Sequence, residues 1–244
     1  MRHTVQGSFR YRGVRGAGCD RSARVRHCKL PTMNHVVVTR FSVPRPQDSA
    51  NAHCHADRQW LEARLGLFRI FFVPSVERLG VQATLLCSSQ SGGFVEDRLG
   101  DLSWVEVVVQ DDWYGGWVGN RDQVVTRMDS DDAIHGDWLA AVEAAPADAE
   151  VCCTRDFLRY DMSTGKLCSY SRRTPSPLAA FRAGRNPFAH DHAKLDRHYR
   201  VHNMAGEYLL QVFHGGNVSS RRPSWYRRRL PLDRLEDFGI RIEP

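Results

Sequence analysis

The stretch that most constrains the fold is Val124 to His135, VVTRMDSDDAIH, where a short β-branched run gives way to four polar residues, three of them carboxylates. Val124 and Val125 suit a buried strand, and Asp131 or Asp132 is placed to cap a helix carrying Ile134, Trp138 and Val142 at spacings of four. Such an elbow puts its acids at a strand's carboxyl end, the edge where open α/β sheets bind ligands. Asp129 and Asp131 form an Asp-x-Asp pair whose oxygens can converge on a hard divalent cation. The elbow therefore reads as a metal and phosphate site. Capping and turn chemistry need the same residues, so the rest of the chain has to decide.

His35 to Thr39, with three consecutive valines, predicts a buried strand that ends at Arg40 and Phe41. After a polar loop over Pro44 to Asp57, Trp60, Leu61, Leu65, Phe68 and Phe72 recur at three and four, the apolar stripe of a helix ended by Pro74. Val81 to Cys87 predicts a second strand, Phe94 to Leu99 a short helix and Trp104 to Val109 a third strand. Asp111 to Gly119 is a turn-rich insert whose Trp113, Tyr114 and Trp117 can stack on a base or sugar, or simply pack beneath the loop. This alternation implies an α/β sheet with right-handed crossovers.

Beyond Pro146 the pattern becomes α+β. Val151 to Asp161 and Lys166 to Ser171 predict a hairpin around Ser163, Thr164 and Gly165. Arg172 to Phe188, rich in proline and arginine, reads as a long loop of the lid type, in which Arg185 and its neighbours can clamp a diphosphate or lie in solvent. Tyr208 to Phe213 is a short apolar strand that delivers His214, Gly215, Gly216 and Asn217 at its end.

Charge is unevenly placed. The first 32 residues hold eight Arg or Lys against one acid, a net of +7, which against the whole-chain +6 leaves the remainder at −1. A near-neutral body says little about its substrate. Residues 1–32 read as a disordered Arg-rich leader, with Met33 an alternative start; 33–220 reads as the folded domain, and 221–244 as an Arg-rich tail packed on it or trailing it. That tail, with Trp225 and Tyr226 among its arginines, suits phosphates or anionic headgroups, giving peripheral membrane contact, but carries no base-reading signature, so nucleic acid is not an expected partner. Seven cysteines without Cys-x-x-Cys spacing, no secretory signal and no apolar run of membrane-spanning length point to free thiols in the cytoplasm. His53, Cys54 and His55 are one local metal-type cluster, better read as a polar loop, and His198 with His202 has helical spacing, better read as a basic solvated helix face.

Taken together, HVVVTRFSV at 35–43, FFVPSVERLGVQ at 71–82, VVTRMDSDDAIH at 124–135, NPF at 186–188 and LLQVFHGGNVS at 209–219 occur in an order that resembles the rhamnosyltransferase family, small glycosyltransferases of the GT-A type. The resemblance runs from about Asn34 to Ser220. It implies a GT-A-like, Rossmann-type mixed sheet flanked by helices, and transfer of a sugar from a nucleotide-diphosphate sugar to a saccharide or glycolipid hydroxyl, with Mn²⁺ or Mg²⁺ at an Asp-x-Asp site. On that basis Asp131 is the principal metal carboxylate, Asp129 serves the metal or the donor ribose, and His214 is a third ligand. Arg40, Arg127, Arg185 and Asn217 are expected on the donor. Asp132 orients the donor sugar or caps the helix, and Asp191, in the HDH after NPF, is the candidate general base. Two rivals stand beside this: a metal-dependent phosphoester hydrolase, and a non-catalytic nucleic-acid or membrane binder using the Arg-rich ends.

Overall fold

The valine-rich runs pair with one another at the centre of the molecule. A computed structural model describes residues 34–44, 56–115, 122–182, 184–214 and 228–241, all within one unit of the chain. Strand β1 (Asn34–Arg40) lies between β2 (Gln82–Cys87) and β4 (Gln123–Arg127), parallel to both, and β3 (Val105–Val109) pairs in parallel with β2. On the far side of β4, β9 (Ala179–Phe181) runs antiparallel and joins β6 (Val151–Thr154), which pairs in parallel with β10 (Val201–Met204). The order is β10-β6-β9-β4-β1-β2-β3. A second sheet holds β5 (Ala133–Ile134), β7 (Asp156–Asp161), β8 (Lys166–Ser171), β11 (Leu209–Phe213) and β12 (Arg228–Leu230), in the order β12-β8-β7-β11-β5. The mixed sheet flanked by helices expected from the sequence is thus the one the chain forms, an α/β architecture.

Alternation along the strands divides the core. Val37, Leu85, Val124, Cys152 and Ala180 face one layer, packed against Leu61, Leu65 and Phe68 of the long helical segment and Trp138 of α4 (Trp138–Ala144). Val36, Val38, Val125 and Phe188 face the other. Cys153 likewise points away from Cys152, and the thiols of Cys87, Cys152, Cys153 and Cys168 are free and buried. The second sheet buries Leu158, Leu210 and Val212 against Phe71, against Leu235 and Phe238 of the C-terminal 3-10 turn (Leu232–Phe238) and against Ile240 just after it, so the described part of the tail packs on the domain.

Several expectations give way to the structure. Pro74 does not end the helix: α1 (Arg58–Leu67) passes through a π turn (Phe68–Phe72) into α2 (Val73–Glu77). The wider turn lets Val73 N–H reach the Phe68 carbonyl, and Pro74 then sits in a first turn that needs no N–H. Ile134 is not helical either. It pairs with Leu209 in the second sheet, and the helix starts at Trp138, uncapped by Asp131 or Asp132. Val151 to Asp161 is two strands, one in each sheet, separated at Arg155. The supposed lid, Arg172 to Phe188, contains β9, which fills the middle of the main sheet. His198 follows a 3-10 turn (His192–Arg197) and His202 lies in β10, so no helix face joins them. The β7–β8 hairpin forms as expected, with Gly165 at φ +62° in its turn.

The leader, the His53–His55 cluster, Trp117, Asn217 with the two glycines before it, and Arg221 to Arg227 lie outside the described residues. Among the described residues, no helix is long and apolar enough to cross a membrane.

Beneath the elbow runs a buried relay. Trp138 Nε1–H donates to Thr126 Oγ1 at 2.8 Å, and the Thr126 hydroxyl lies 2.6 Å from His35 Nε2. With its oxygen accepting from Trp138, Thr126 donates to a neutral imidazole. Burial pushes His35 down from 6.5 to about 4. The unfolded chain takes up this proton near 6.5 and the folded chain only near 4, so the stability is intact above about 6.5 and falls as pH drops through that window. Acidification to pH 4.5 should therefore cost about 2–3 kcal/mol through this one group. Urea unfolding of wild type and His35→Gln at neutral and acid pH checks it: glutamine should remove most of that difference, and an unchanged slope would acquit His35.

Candidate functional site

Strand β4 ends at Arg127, and the chain then leaves the sheet through buried Met128 into the acidic elbow. Arg64 of α1 and Arg40 of β1 join Arg127 of β4 around the elbow. Arg64, in the last turn of α1, forks onto Asp131: Nη2–H donates to Oδ1 at 3.1 Å and Nη1–H to Oδ2 at 3.2 Å, while Nε–H donates to Ser130 Oγ at 2.9 Å. His214, just beyond β11, donates from Nε2 to Asp131 Oδ2 at 2.8 Å. Asp131 is only 5% exposed. Burial opposes its charge, but Arg64 and the His214 hydrogen bond outweigh that and hold it below the ordinary carboxylate range.

Asp132 makes the convergence possible. Its Oδ1 accepts the backbone N–H of Val212 at 2.9 Å, which fixes β11 against the elbow and sets down His214 at Asp131. The other oxygen, Oδ2, is buried with no hydrogen-bond partner among the described residues. Burial first, then Asp131 and Asp129, push Asp132 well above the ordinary range. This residue is a clamp between elbow and strand, not a helix cap.

Asp129 differs from both. It is exposed to solvent, and among the described residues its carboxylate makes no hydrogen bond, although Asp131, Arg40, Arg64 and Arg127 lie within electrostatic reach. Crowding and then Asp131 push it upward, while Arg40, Arg64 and Arg127 pull the other way. Because water reaches it, the upward push is weaker than the crowding alone implies.

The remaining expected residues divide. Arg40 ends β1 with its guanidinium 3.4 Å from the Trp113 ring centre and 4.6 Å from that of Phe188, and donates to the Trp113 carbonyl at 3.1 Å. Trp113 thus packs on a protein cation. Arg127, expected on the donor, is buried instead: Nη1–H donates to the Pro187 carbonyl and to that of His190 at 2.9 Å, pinning the turn that carries Asp191. Burial lowers it to about 10. Asp191 opens the 3-10 turn, its side chain 44% exposed, within electrostatic reach of Arg127 and 4.0 Å from Lys194 Nζ. Beside it, His190 stacks on His198 with ring centres 3.6 Å apart. Arg172 donates to His192 Nε2 at 3.1 Å, and burial, then Arg127 and Arg172, push His192 down to about 3. Arg185 forms an ion pair with Glu150, and no contact among the described residues joins it to the acidic elbow.

Arg64 and Ser130 are the members sequence reasoning missed. A signal for Arg64 exists: it is a charged residue set into the 60, 61, 65, 68 stripe, where a guanidinium needs a buried partner.

The donor set can be compared with what a cation requires. Among the described residues, no three His, Cys, Asp or Glu side chains come together as a metal group. The Asp131 oxygens already accept from Arg64 and His214, and the His214 nitrogen facing them is a donor there, not a lone pair. Asp131 and His214 as placed do not fit a shared resident ion, and of the three carboxylates of the elbow only Asp129 is exposed.

No known protein family matches the chain, and no curated protein is significantly similar to it. Solved structures with a related course of the chain include S. aureus TarS 1-349, at 12% identity and a TM-score of 0.41, covering 74% of this chain and 60% of that one. Another is the inositol-1-phosphate CTP transferase from T. maritima, at 10% identity and a TM-score of 0.38, covering 75% of this chain and 85% of that one. The chain therefore spans about three fifths of the TarS chain it aligns with.

Proposed function

We propose that the protein is a transferase that takes a sugar, rhamnose by its family resemblance, from a nucleotide-diphosphate sugar and passes it to a saccharide or glycolipid hydroxyl. The observation that carries this reading is the meeting of Asp131 with His214, 83 residues away, and with Arg64, at the carboxyl edge of parallel strands. Open Asp129 stands beside them. A departing nucleoside diphosphate gains negative charge as the glycosidic bond breaks, and donors already fixed at that place stabilise it without reorganising. Arg64 and Arg40 are the cations assigned to it, and Asp129 is assigned to the donor's hydroxyls.

Asp191, exposed at the edge of the same arginine cluster, is assigned the proton of the acceptor hydroxyl. Asp132, buried on Val212, acts only by positioning. The test is incubation of the full chain with labelled nucleotide sugars and saccharide or glycolipid acceptors. Transfer from one donor is the expected result. Cleavage of many simple phosphoesters without transfer would replace this reading with the hydrolase.

A further inference from the structure

The acidic elbow holds a cation of its own. We infer that Arg64 supplies, at Asp131, the positive charge expected of a divalent ion, so that the nucleoside diphosphate binds without metal; this rests on the transferase reading above. Three observations converge. The Arg64 guanidinium takes both oxygens of Asp131, at 3.1 and 3.2 Å, in the two-point geometry that suits a carboxylate. Its Nε–H is fixed on buried Ser130, so the fork is aimed and not merely adjacent. His214 completes the set from the other side. A cation approaching Asp131 would have to displace an arginine held by three hydrogen bonds.

The same guanidinium has capacity left. Arginine carries five N–H donors, and three are spent on Ser130 and Asp131, leaving one on each terminal nitrogen. Its side chain is 18% exposed, against 7% for Asp131, so Arg64 is the more accessible member of the pair, with exposed Asp129 within electrostatic reach of it. The two remaining N–H groups lie on opposite flanks of the planar cation and diverge, so each can donate singly to a phosphate oxygen. Asp131 then acts as a positioning residue for Arg64, and Asp129 is left for the sugar or ribose hydroxyls.

Two measurements on the full chain test this. The first is uptake of Mn²⁺ alone, followed by the electron spin resonance of the free ion. Wild type should not bind it at the elbow, whereas Arg64→Ala, which releases both oxygens of Asp131, should acquire a site. The second is binding of UDP, dTDP, GDP and CDP by calorimetry, with EDTA or with Mn²⁺. One of them should bind wild type equally in both, within about twofold. In EDTA, Arg64→Ala should weaken it about ten- to hundredfold, the range for lost charge-assisted hydrogen bonds. Arg64→Lys, which keeps the charge but not the fork, should fall between.

Tight Mn²⁺ uptake by wild type that disappears in Asp131→Asn would overturn the inference, as would nucleotide binding that requires Mn²⁺. Those wild-type results stand even if an Arg64 variant does not fold. Failure of every nucleoside diphosphate to bind in either condition would instead sink the transferase reading, with Mn²⁺ uptake still deciding the role of Arg64.

Discussion

Replacing Trp138 by alanine is expected to cost about 3–5 kcal/mol, the range for removing a large aromatic from a closed core. The ring is fully buried at the start of α4 and lies 5.8 Å from Tyr208, centre to centre. Its N–H is the donor to Thr126, so alanine removes a buried hydrogen bond as well as opening a cavity. A whole domain is typically stable by only about 5–15 kcal/mol, so much of the margin would go. Trp138→Phe keeps most of the volume and loses the N–H, and should cost about 1–2 kcal/mol. Urea unfolding of the three proteins decides; an alanine variant within about 1 kcal/mol of wild type would mean that this ring does not anchor the helix beneath the elbow.

Asp131→Asn should act on both stability and function. The amide offers one acceptor where the carboxylate offered two, and it turns an N–H towards Arg64 or His214, both of which donate. Leaving Arg64 largely buried and half-paired is expected to cost about 3–5 kcal/mol, and transfer should fall about 10²–10³-fold. A paired replacement separates the two effects. Asp131→Leu with Arg64→Met removes both charges and should restore at least half of the stability while leaving transfer abolished. Equal stability and equal transfer in Asp131→Asn would show that the pair is ornamental.

How much of this was legible follows from what each signal depends on. The strands β1, β2, β4 and β11 announce themselves because strands buried in the sheet carry apolar runs, and β3, at the edge, by its run of valines. The α1 stripe is equally plain, and the acidic elbow and His214 could be named from their positions at strand ends. Strand β9 was hidden: Ala179, Ala180 and Phe181 make too short a run to stand out between prolines, and only the neighbours β4 and β6 make it a strand. The change of sheet at Arg155 was equally silent, since both halves of Val151 to Asp161 are β-prone. Arg127 looked like a ligand contact because charge at a strand end suggests solvent; carbonyls from a turn 60 residues away give it a buried use. Asp132 was read as a cap because its true partner, the Val212 N–H, lies 80 residues ahead.

The place of β9 has a consequence for how the chain is made. Until Phe181 leaves the ribosome, β4 lacks one of its two neighbours, and its Val125–Arg127 edge offers unpaired N–H and C=O groups to any passing strand. At about 5–20 residues per second, the interval from β4 to β9 lasts on the order of 3–10 s. Nascent-chain chaperones, or slower growth in the cold, should therefore raise the soluble yield more than changes at the elbow do.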